Sequence, residues 1–210
     1  MDLYPTKGEE FSIEEILARL WSSNTLRSEL IDVLDLIEDR ILRVHPPLSS
    51  DPDIPIHRHA TYSRDEILAA FGESTFQYRR PVSEGVYWSE KNRTDLLFVT
   101  INKNKNEFSE TTMYDDRLLS TSHFHWESQS RTSVASSVGH RYLNHQRQET
   151  KIALFLRAEK NTPRNTTAPY LAAGYASYEQ HESERPIKIT WKLDHPLPQT
   201  VFLALAKKVA

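Results

Sequence analysis

The sequence predicts an α+β fold, with a helical N-terminal segment on a mostly antiparallel, curved β-sheet domain. Before residue 47, apolar residues recur at helical spacing. After Phe76, short runs rich in valine, isoleucine and aromatic residues alternate with turn residues. A stretch rich in proline, serine and aspartate lies between these regions and is typical of a linker. We therefore expect two parts, residues 1–47 and residues 55–210.

Two helices are predicted in the N-terminal part. Ser12 and Glu15 have the spacing of a capping box, which predicts a short helix ending at about Leu20. A second helix is predicted over residues 26–42, because apolar residues form one stripe there and acidic residues form the opposite face. We expect the stripe to contact the core, and binding of another protein is the alternative.

The larger part begins with a third helix and continues mainly as strands. Ser63 and Glu66 form a second capping box, and Gly72 lies where the helix should end. Apolar and β-branched runs predict strands over residues 85–88, 96–101, 152–157, 170–178 and 187–193. A C-terminal helix is predicted over residues 197–209.

Composition narrows the class of protein. The chain has 210 residues, is 38% hydrophobic and contains no cysteine, which excludes disulfides, thiolate metal sites and a cysteine nucleophile. It has neither a membrane-length apolar run nor a secretory pattern at its start, so we expect a soluble cytoplasmic protein with no membrane contact. Residues 76–165 carry 14 basic and 10 acidic side chains, whereas residues 1–75 carry 7 and 15. A basic middle region can face phosphates, although it can also be an ordinary solvated surface.

Residues 111–145 combine aromatic and polar side chains with few aliphatic ones. Such a stretch is costly to order unless its polar groups find partners. It can stack on a nucleobase and bind its edge, or it can be a loop-rich connection. With the basic residues before it, the stretch predicts a DNA-binding surface formed by Tyr78, Arg79, Arg80, Trp88, Tyr114, His125, Trp126, Gln129, Arg141 and Tyr142.

Each of these residue types has an expected part in binding DNA. The arginines are expected to contact phosphates. Trp126 or Tyr114 is expected to stack on a base, and Gln129 to read a base edge. No cofactor is predicted. Two histidine pairs, at 57 and 59 and at 123 and 125, supply too few ligands for a zinc site.

A metal-dependent nuclease is a weaker alternative. Asp95 before an apolar strand and Glu127 downstream could together hold Mg²⁺ for phosphodiester hydrolysis. The usual arrangement has a lysine where this chain has Gln129, which stabilises developing negative charge less well. Structural roles for both acidic residues are therefore favoured, and no catalytic residue is predicted.

Several blocks of the sequence point to a known family. They are residues 59–67, 84–86, 96–100, 111–116, 124–129, 139–142 and 189–193. In their residues and in their order along the chain, these blocks resemble the uncharacterised C-terminal domain of bacterial DEAD/DEAH-box helicases. That domain is often linked to a phospholipase D-like nuclease domain. The resemblance extends from about Pro55 to the end of the chain.

The resemblance implies a role in DNA processing but transfers no catalytic residue. The helicase motor is missing here, since neither its Gly-Lys-Thr phosphate-binding motif nor its Asp-Glu-Ala-His motif occurs in the sequence. We therefore expect a non-catalytic DNA-recognition module of a bacterial helicase or restriction-type defence system, one that reads a modified or extruded base. DNA and a helicase or nuclease protein are the expected partners. A protein-interaction or regulatory domain of a helicase complex is the alternative.

Overall fold

A computed structural model of the chain describes residues 12–41, 46–48, 53–82, 84–102 and 115–206. The chain divides into two compact units, which we call the helical unit (Met1–Val44) and the sheet unit (His45–Ala210). Within the described residues, no helix is long and apolar enough to cross a membrane. The α+β class predicted from the sequence is confirmed.

The helical unit contains α1 (Ile13–Ser22) and α2 (Asn24–Ile41). The predicted capping box is present, since the Ser12 hydroxyl accepts from the Glu15 amide at 3.2 Å and the Glu15 carboxylate accepts from the Ser12 amide at 2.8 Å. In the structure, Val33, Leu34 and Ile37 of the apolar stripe of α2 are exposed, and the expected contact of this stripe with the core stays a prediction. Two short helices offer too little surface to cover every apolar side chain that they carry.

The sheet unit begins with strand β1 (Thr61–Tyr62) and helix α3 (Arg64–Ala70). Ser63 and Glu66 form the second predicted capping box. Gly72 has a φ of 72° and its amide donates to the Ala69 carbonyl, while the Glu73 amide donates to the Leu68 carbonyl. These two bonds form a Schellman motif, so the helix ends where the glycine predicts.

Seven further strands follow in the described chain. They are β2 (Val86–Ser89), β3 (Thr94–Thr100), β4 (Arg117–Leu118), β5 (His123–Glu127), β6 (Lys151–Arg157), β7 (Tyr170–Glu182) and β8 (Lys188–Leu193). Their order in the sheet is β2-β3-β6-β7-β8-β5-β4, with β1 paired to β7. Only β3 and β6 are paired in parallel among these described strands, and every other pairing is antiparallel.

Both faces of the sheet carry a hydrophobic core. Leu97 and Val99 of β3 point into one core, and Leu96 and Phe98 point into the other. Burial on both faces explains the continuous apolar run of β3, because a strand with one solvated face would alternate. Helix α4 (Ser137–Leu143) and helix α5 (Gln199–Ala206) contribute to the first core, and α3 contributes to the second.

The sheet is open and curved. Glu84, just before β2 at one end of the strand order, binds Gln129 and Arg131, just after β5 near the other end. This contact brings the two ends of the strand order together, which a flat sheet could not do. A loop-rich connection was one of two readings of residues 111–145, and the described part of this stretch contains β4, β5 and α4. The neighbouring strand β8 stabilises β5, and the Ser136 hydroxyl caps α4.

Candidate functional site

A groove lies at the carboxyl ends of the parallel strands β3 and β6. Thr100 and Arg157 are the last residues of these strands, and both line the groove. It has two lobes, which we call the inner cleft, of about 520 Å³, and the outer lobe, of about 650 Å³. Both lobes are lined by Arg64, Arg157, Lys160 and Tyr170. These four residues form the boundary that the two lobes share.

The inner cleft has an apolar floor and a polar rim. Phe98, Trp126 and Tyr170 form the floor, and each is at most 4% exposed. The rim carries acidic, amide, hydroxyl and guanidinium groups from Asp116, Glu127, Gln129, Ser130 and Arg131. A concave apolar surface with a few convergent polar groups is typical of a small-ligand site.

Two guanidinium groups lie against the Tyr170 ring at the boundary between the lobes. The guanidinium carbon of Arg157 is 4.3 Å from the ring centroid, and that of Arg64 is 5.7 Å away. Arg64 also donates to the Val82 carbonyl at 2.7 Å and to the Tyr170 hydroxyl at 3.0 Å. These contacts hold its planar head in one position. Within the described residues the Arg64 guanidinium has no carboxylate partner, so its positive charge is not neutralised there.

The two lobes differ in charge. Four cationic and three acidic side chains line the inner cleft, the acidic ones being Glu84, Asp116 and Glu127. Five cationic side chains line the outer lobe, and Asp65 is the one acidic residue among its described lining residues. The cations of the outer lobe are Arg64, Arg79, Arg80, Arg157 and Lys160. The outer lobe therefore favours anions more strongly than the inner cleft does.

Hydrogen bonds fix the acidic side chains of the inner cleft. The Glu84 carboxylate accepts from Gln129 at 2.6 Å and from Arg131 at 2.8 and 2.9 Å. Asp116, which is 6% exposed, accepts from the amide of Glu127 at 3.0 Å. The bonds to Glu84 join the segment before β2 to the segment after β5 and so fix the rim of the cleft.

The groove brings together some of the residues predicted from the sequence. Those that line it are Arg79, Arg80, Trp126 and Gln129. Tyr78 is adjacent and 47% exposed, and its ring centroid lies 5.1 Å from the Arg80 guanidinium carbon. Tyr114 lies outside the described residues.

Arg141 and Trp88 lie in a separate cluster, where Arg141 was expected to contact phosphate. Arg141, on α4, donates two hydrogen bonds of 2.7 and 2.8 Å to the Asp95 carboxylate. Its guanidinium carbon lies 4.1 Å from the Trp88 ring centroid. Burial raises the pKa of the Asp95 carboxyl, and the hydrogen bonds and positive charge of Arg141 oppose that rise. In the structure the Arg141 guanidinium therefore neutralises a buried acid, and its expected contact with phosphate stays a prediction.

Trp126 and Tyr142 belong to the core on the α4 side of the sheet. They are 4% and 2% exposed, and their rings meet edge to face at a centroid distance of 5.4 Å. Burial raises the pKa of the Tyr142 hydroxyl well above its ordinary value. Trp126 offers only a small part of its surface to the inner cleft, so the expected stacking platform for a base is covered by core packing.

His125 lies on β5, two residues before Glu127 and on the same face of the strand. It is half-buried. Burial and the neighbouring positive charge of Arg117 lower the pKa of the His125 imidazole, while nearby acidic groups oppose this. The lowered pKa favours the neutral form of the imidazole.

The two acidic residues of the nuclease alternative point to opposite faces of the sheet. Asp95 shares a face with Leu97, whereas Glu127 points away from the face that buries Trp126. Glu127 pairs with Lys188 at 3.4 Å. Within the described ranges, no three histidine or acidic side chains are grouped closely enough to hold a metal ion. The arrangement of these two residues gives no support to a shared metal site.

Several lining residues were not predicted from the sequence. They are Arg64, Asp116, Arg131, Arg157, Lys160 and Tyr170. One local feature points to Arg157, because a charged residue ends an otherwise apolar strand. The others are separated by long stretches of chain, and only the pairing of β3 with β6 and the curvature of the sheet bring them together.

The sheet unit is thus an α+β domain with a mainly cationic groove. Its family model, described as a domain of unknown function (DUF3427), matches residues 56–205, and the chain belongs to this family. No curated protein matches the sequence.

Proposed function

We propose that this chain is a non-catalytic DNA-recognition domain that binds through the two-lobed groove. The observation that carries the proposal is the cationic outer lobe beside an inner cleft with an apolar floor and a polar rim. Phosphates dominate the affinity of proteins for nucleic acids, and base edges determine specificity. A groove with both kinds of surface can serve both purposes.

The inner cleft is the proposed site for an extruded or modified base. Its volume of about 520 Å³ lies within the usual range for small-ligand sites. The Gln129 amide and the Ser130 hydroxyl line the cleft and can both donate to and accept from a base edge. The guanidinium of Arg64 can stack on a base, because arginine planes serve this role where aromatic rings are covered.

A role beside a helicase is the finer part of the proposal. The resemblance of residues 55–210 to the C-terminal domain of DEAD/DEAH-box helicases suggests a helicase or nuclease partner. Such a partner in turn suggests a restriction-type defence system. This support is an association with neighbouring domains, and the groove itself carries no information about a motor.

Fluorescence anisotropy with the full chain tests DNA binding. Labelled single-stranded and duplex DNA, each with cytosine, 5-methylcytosine or 5-hydroxymethylcytosine, would be titrated over a range of salt concentrations. We expect salt-dependent binding, tightest for one unstacked or modified base. The proposal fails if every DNA binds more weakly than about 10⁻⁴ M at physiological salt, the weak end of non-specific binding.

A protein-interaction domain is the second candidate, because the helical unit exposes large apolar side chains. Leu17, Trp21 and Leu34 are 52%, 59% and 52% exposed. Affinity capture with the full chain and with a Leu17→Ser, Trp21→Ser variant tests this function. A helicase or nuclease retained by the parent and lost from the variant would support it. The same partners on both proteins would count against it.

A further inference from the structure

We infer that the two lobes have different parts in binding DNA. In this assignment the outer lobe binds the sugar-phosphate backbone that leads away from a base held in the inner cleft. The inference rests on the proposed DNA-binding function and deepens it, because it names the chemical group that each lobe recognises. It also predicts that the smallest ligand to fill the groove is an unstacked nucleotide with a flanking phosphodiester.

The first argument is the separation of charge. In the outer lobe the described lining carries five cationic side chains and a single acidic one, Asp65. In the inner cleft the acidic side chains nearly balance the cationic ones, and the floor is apolar. A phosphodiester carries a full negative charge, whereas a base is neutral and has a hydrogen-bonding edge. Each lobe therefore matches one half of a nucleotide.

The second argument is the boundary at Tyr170. Arg64 and Arg157 lie against its ring, and both side chains line both lobes. Arg157 is 9% exposed and is held by Thr100 at 2.9 Å and by the Ala168 carbonyl at 3.2 Å. A strand that passes from one lobe to the other must cross these fixed guanidinium groups. The phosphodiester directly next to the bound base would lie there.

The third argument compares two surface ion pairs between arginine and a carboxylate, one in each lobe. In the outer lobe Arg79 binds Asp65 at 2.6 Å, and in the inner cleft Arg131 binds Glu84 at 2.8 Å. Both arginines are exposed, so water screens both pairs, and the single bond from Arg79 to Asp65 can be exchanged at little cost. Only the inner pair has an amide beside it, because Gln129 shares the Glu84 carboxylate. The inner pair thus belongs to a hydrogen-bonding rim, whereas the outer pair is available to a phosphate.

The test uses two six-nucleotide, fluorescently labelled single strands of mixed sequence. One has ordinary phosphodiester linkages, and the other has methylphosphonate linkages, which are uncharged. We expect Arg79→Ala to weaken binding of the charged strand several-fold and to lower its salt slope by about one, with no effect on the neutral strand. We expect Gln129→Ala to weaken the binding of both strands by the same factor and to leave the salt slope of the charged strand unchanged. Arg147→Ala is the control, since Arg147 is exposed and lines neither lobe.

A gain of affinity provides a test that misfolding cannot imitate. Asp65→Asn removes the acidic group of the outer lobe and releases Arg79. We expect tighter binding of the charged strand and unchanged binding of the neutral strand. A matching RNA strand forms another arm. Tighter binding of the DNA strand than of the RNA strand supports DNA as the source of the phosphodiester. Tighter binding of the RNA strand overturns DNA as that source.

The outcomes separate the inference from the proposed function. If the parent protein binds DNA but Arg79→Ala and Asp65→Asn bind like the parent with the same salt slope, the assignment of the outer lobe is overturned and the proposed function stands. If Arg79→Ala weakens binding of the neutral strand as much as binding of the charged strand, the assignment of the outer lobe is also overturned. If the parent binds neither strand but binds a DNA of the first titration, the assignment of the lobes is overturned, and if it binds none of these DNAs the proposed function itself fails.

Discussion

Two clusters in the sheet unit combine arginine with aromatic rings but differ in what neutralises the guanidinium charge. In one cluster, Arg141 lies over Trp88 and forms two hydrogen bonds to the fully buried Asp95. In the other, Arg64 lies against Tyr170 and donates to hydroxyl and carbonyl oxygen atoms. The acid in the first cluster neutralises the guanidinium charge, whereas the neutral acceptors of Arg64 leave its charge available in the groove. An aromatic neighbour alone therefore does not show whether a guanidinium charge is neutralised.

Breaking the first cluster gives the largest expected effect. We expect Arg141→Ala to lower the free energy of unfolding by about 3–5 kcal/mol, because it leaves a carboxylate buried without its partner. DNA affinity per folded molecule should not change, since Arg141 does not line the groove. Urea unfolding and DNA anisotropy on the same preparation would measure both quantities.

A second substitution shows whether the buried charge causes the loss. Asp95→Asn in the Arg141→Ala background removes the unpaired charge, so we expect part of the lost stability to return. A double variant that is less stable than Arg141→Ala would contradict this explanation. A large loss of DNA affinity in a folded Arg141 variant would remove the contrast between the clusters.

The sequence predicted the fold of this chain better than its site, for a physical reason. Local patterns predicted the capping boxes at Ser12 and Ser63, the end of α3 at Gly72 and the strand over residues 187–193, because a few neighbouring residues determine each of them. Strand β5 also has a local signal, because His123 and His125 alternate with buried neighbours. That signal was missed because the surrounding polar residues are typical of a loop.

Changing Arg64 should have an intermediate effect on stability and a larger one on binding. We expect Arg64→Ala to cost about 1–2 kcal/mol of stability, because two hydrogen bonds to neutral acceptors are lost. Binding of DNA should fall and its salt slope should decrease by about one. Arg141→Ala should lose more stability, and Arg64→Ala should lose more DNA affinity. Urea unfolding and salt-dependent anisotropy would measure both quantities. Equal effects of both variants on binding would contradict the comparison.

The site itself depends on contacts between distant parts of the chain. Arg64 and Tyr170 are 106 residues apart, and Glu84 and Gln129 are 45 apart. No local pattern can show that such residues meet, because strand order and sheet curvature bring them together. The residue types in the sequence suggested arginine and aromatic partners but could not show which arginine neutralises a buried acid. This explains why Arg141 was predicted as a phosphate contact and Arg157 was missed.

The smallest expected effect is a pH dependence of stability. It arises from a buried imidazole, which within the described residues has no hydrogen-bonded acidic partner to stabilise its charged form as Asp95 stabilises Arg141. His145 is 4% exposed, and its Nε2 accepts from the Tyr178 amide at 3.0 Å. Its Nδ1 must therefore carry the hydrogen and donate to the Thr150 carbonyl, 3.2 Å away. Burial lowers the pKa of this imidazole, because the charged form is poorly solvated and cannot accept from Tyr178.

The sign of the pH effect follows from this lowered pKa. Between the folded and unfolded pKa values the unfolded chain binds more protons, so His145 should reduce stability as the pH falls below about 6.5. The loss is at most about 1.4 kcal/mol per pH unit in that interval and stops below the folded pKa. Urea unfolding of the parent and of His145→Gln at pH 7.5, 6.5 and 5.5 would measure it. The parent should lose more stability than the variant on acidification, because glutamine does not titrate, and equal losses would show that His145 is not the group responsible.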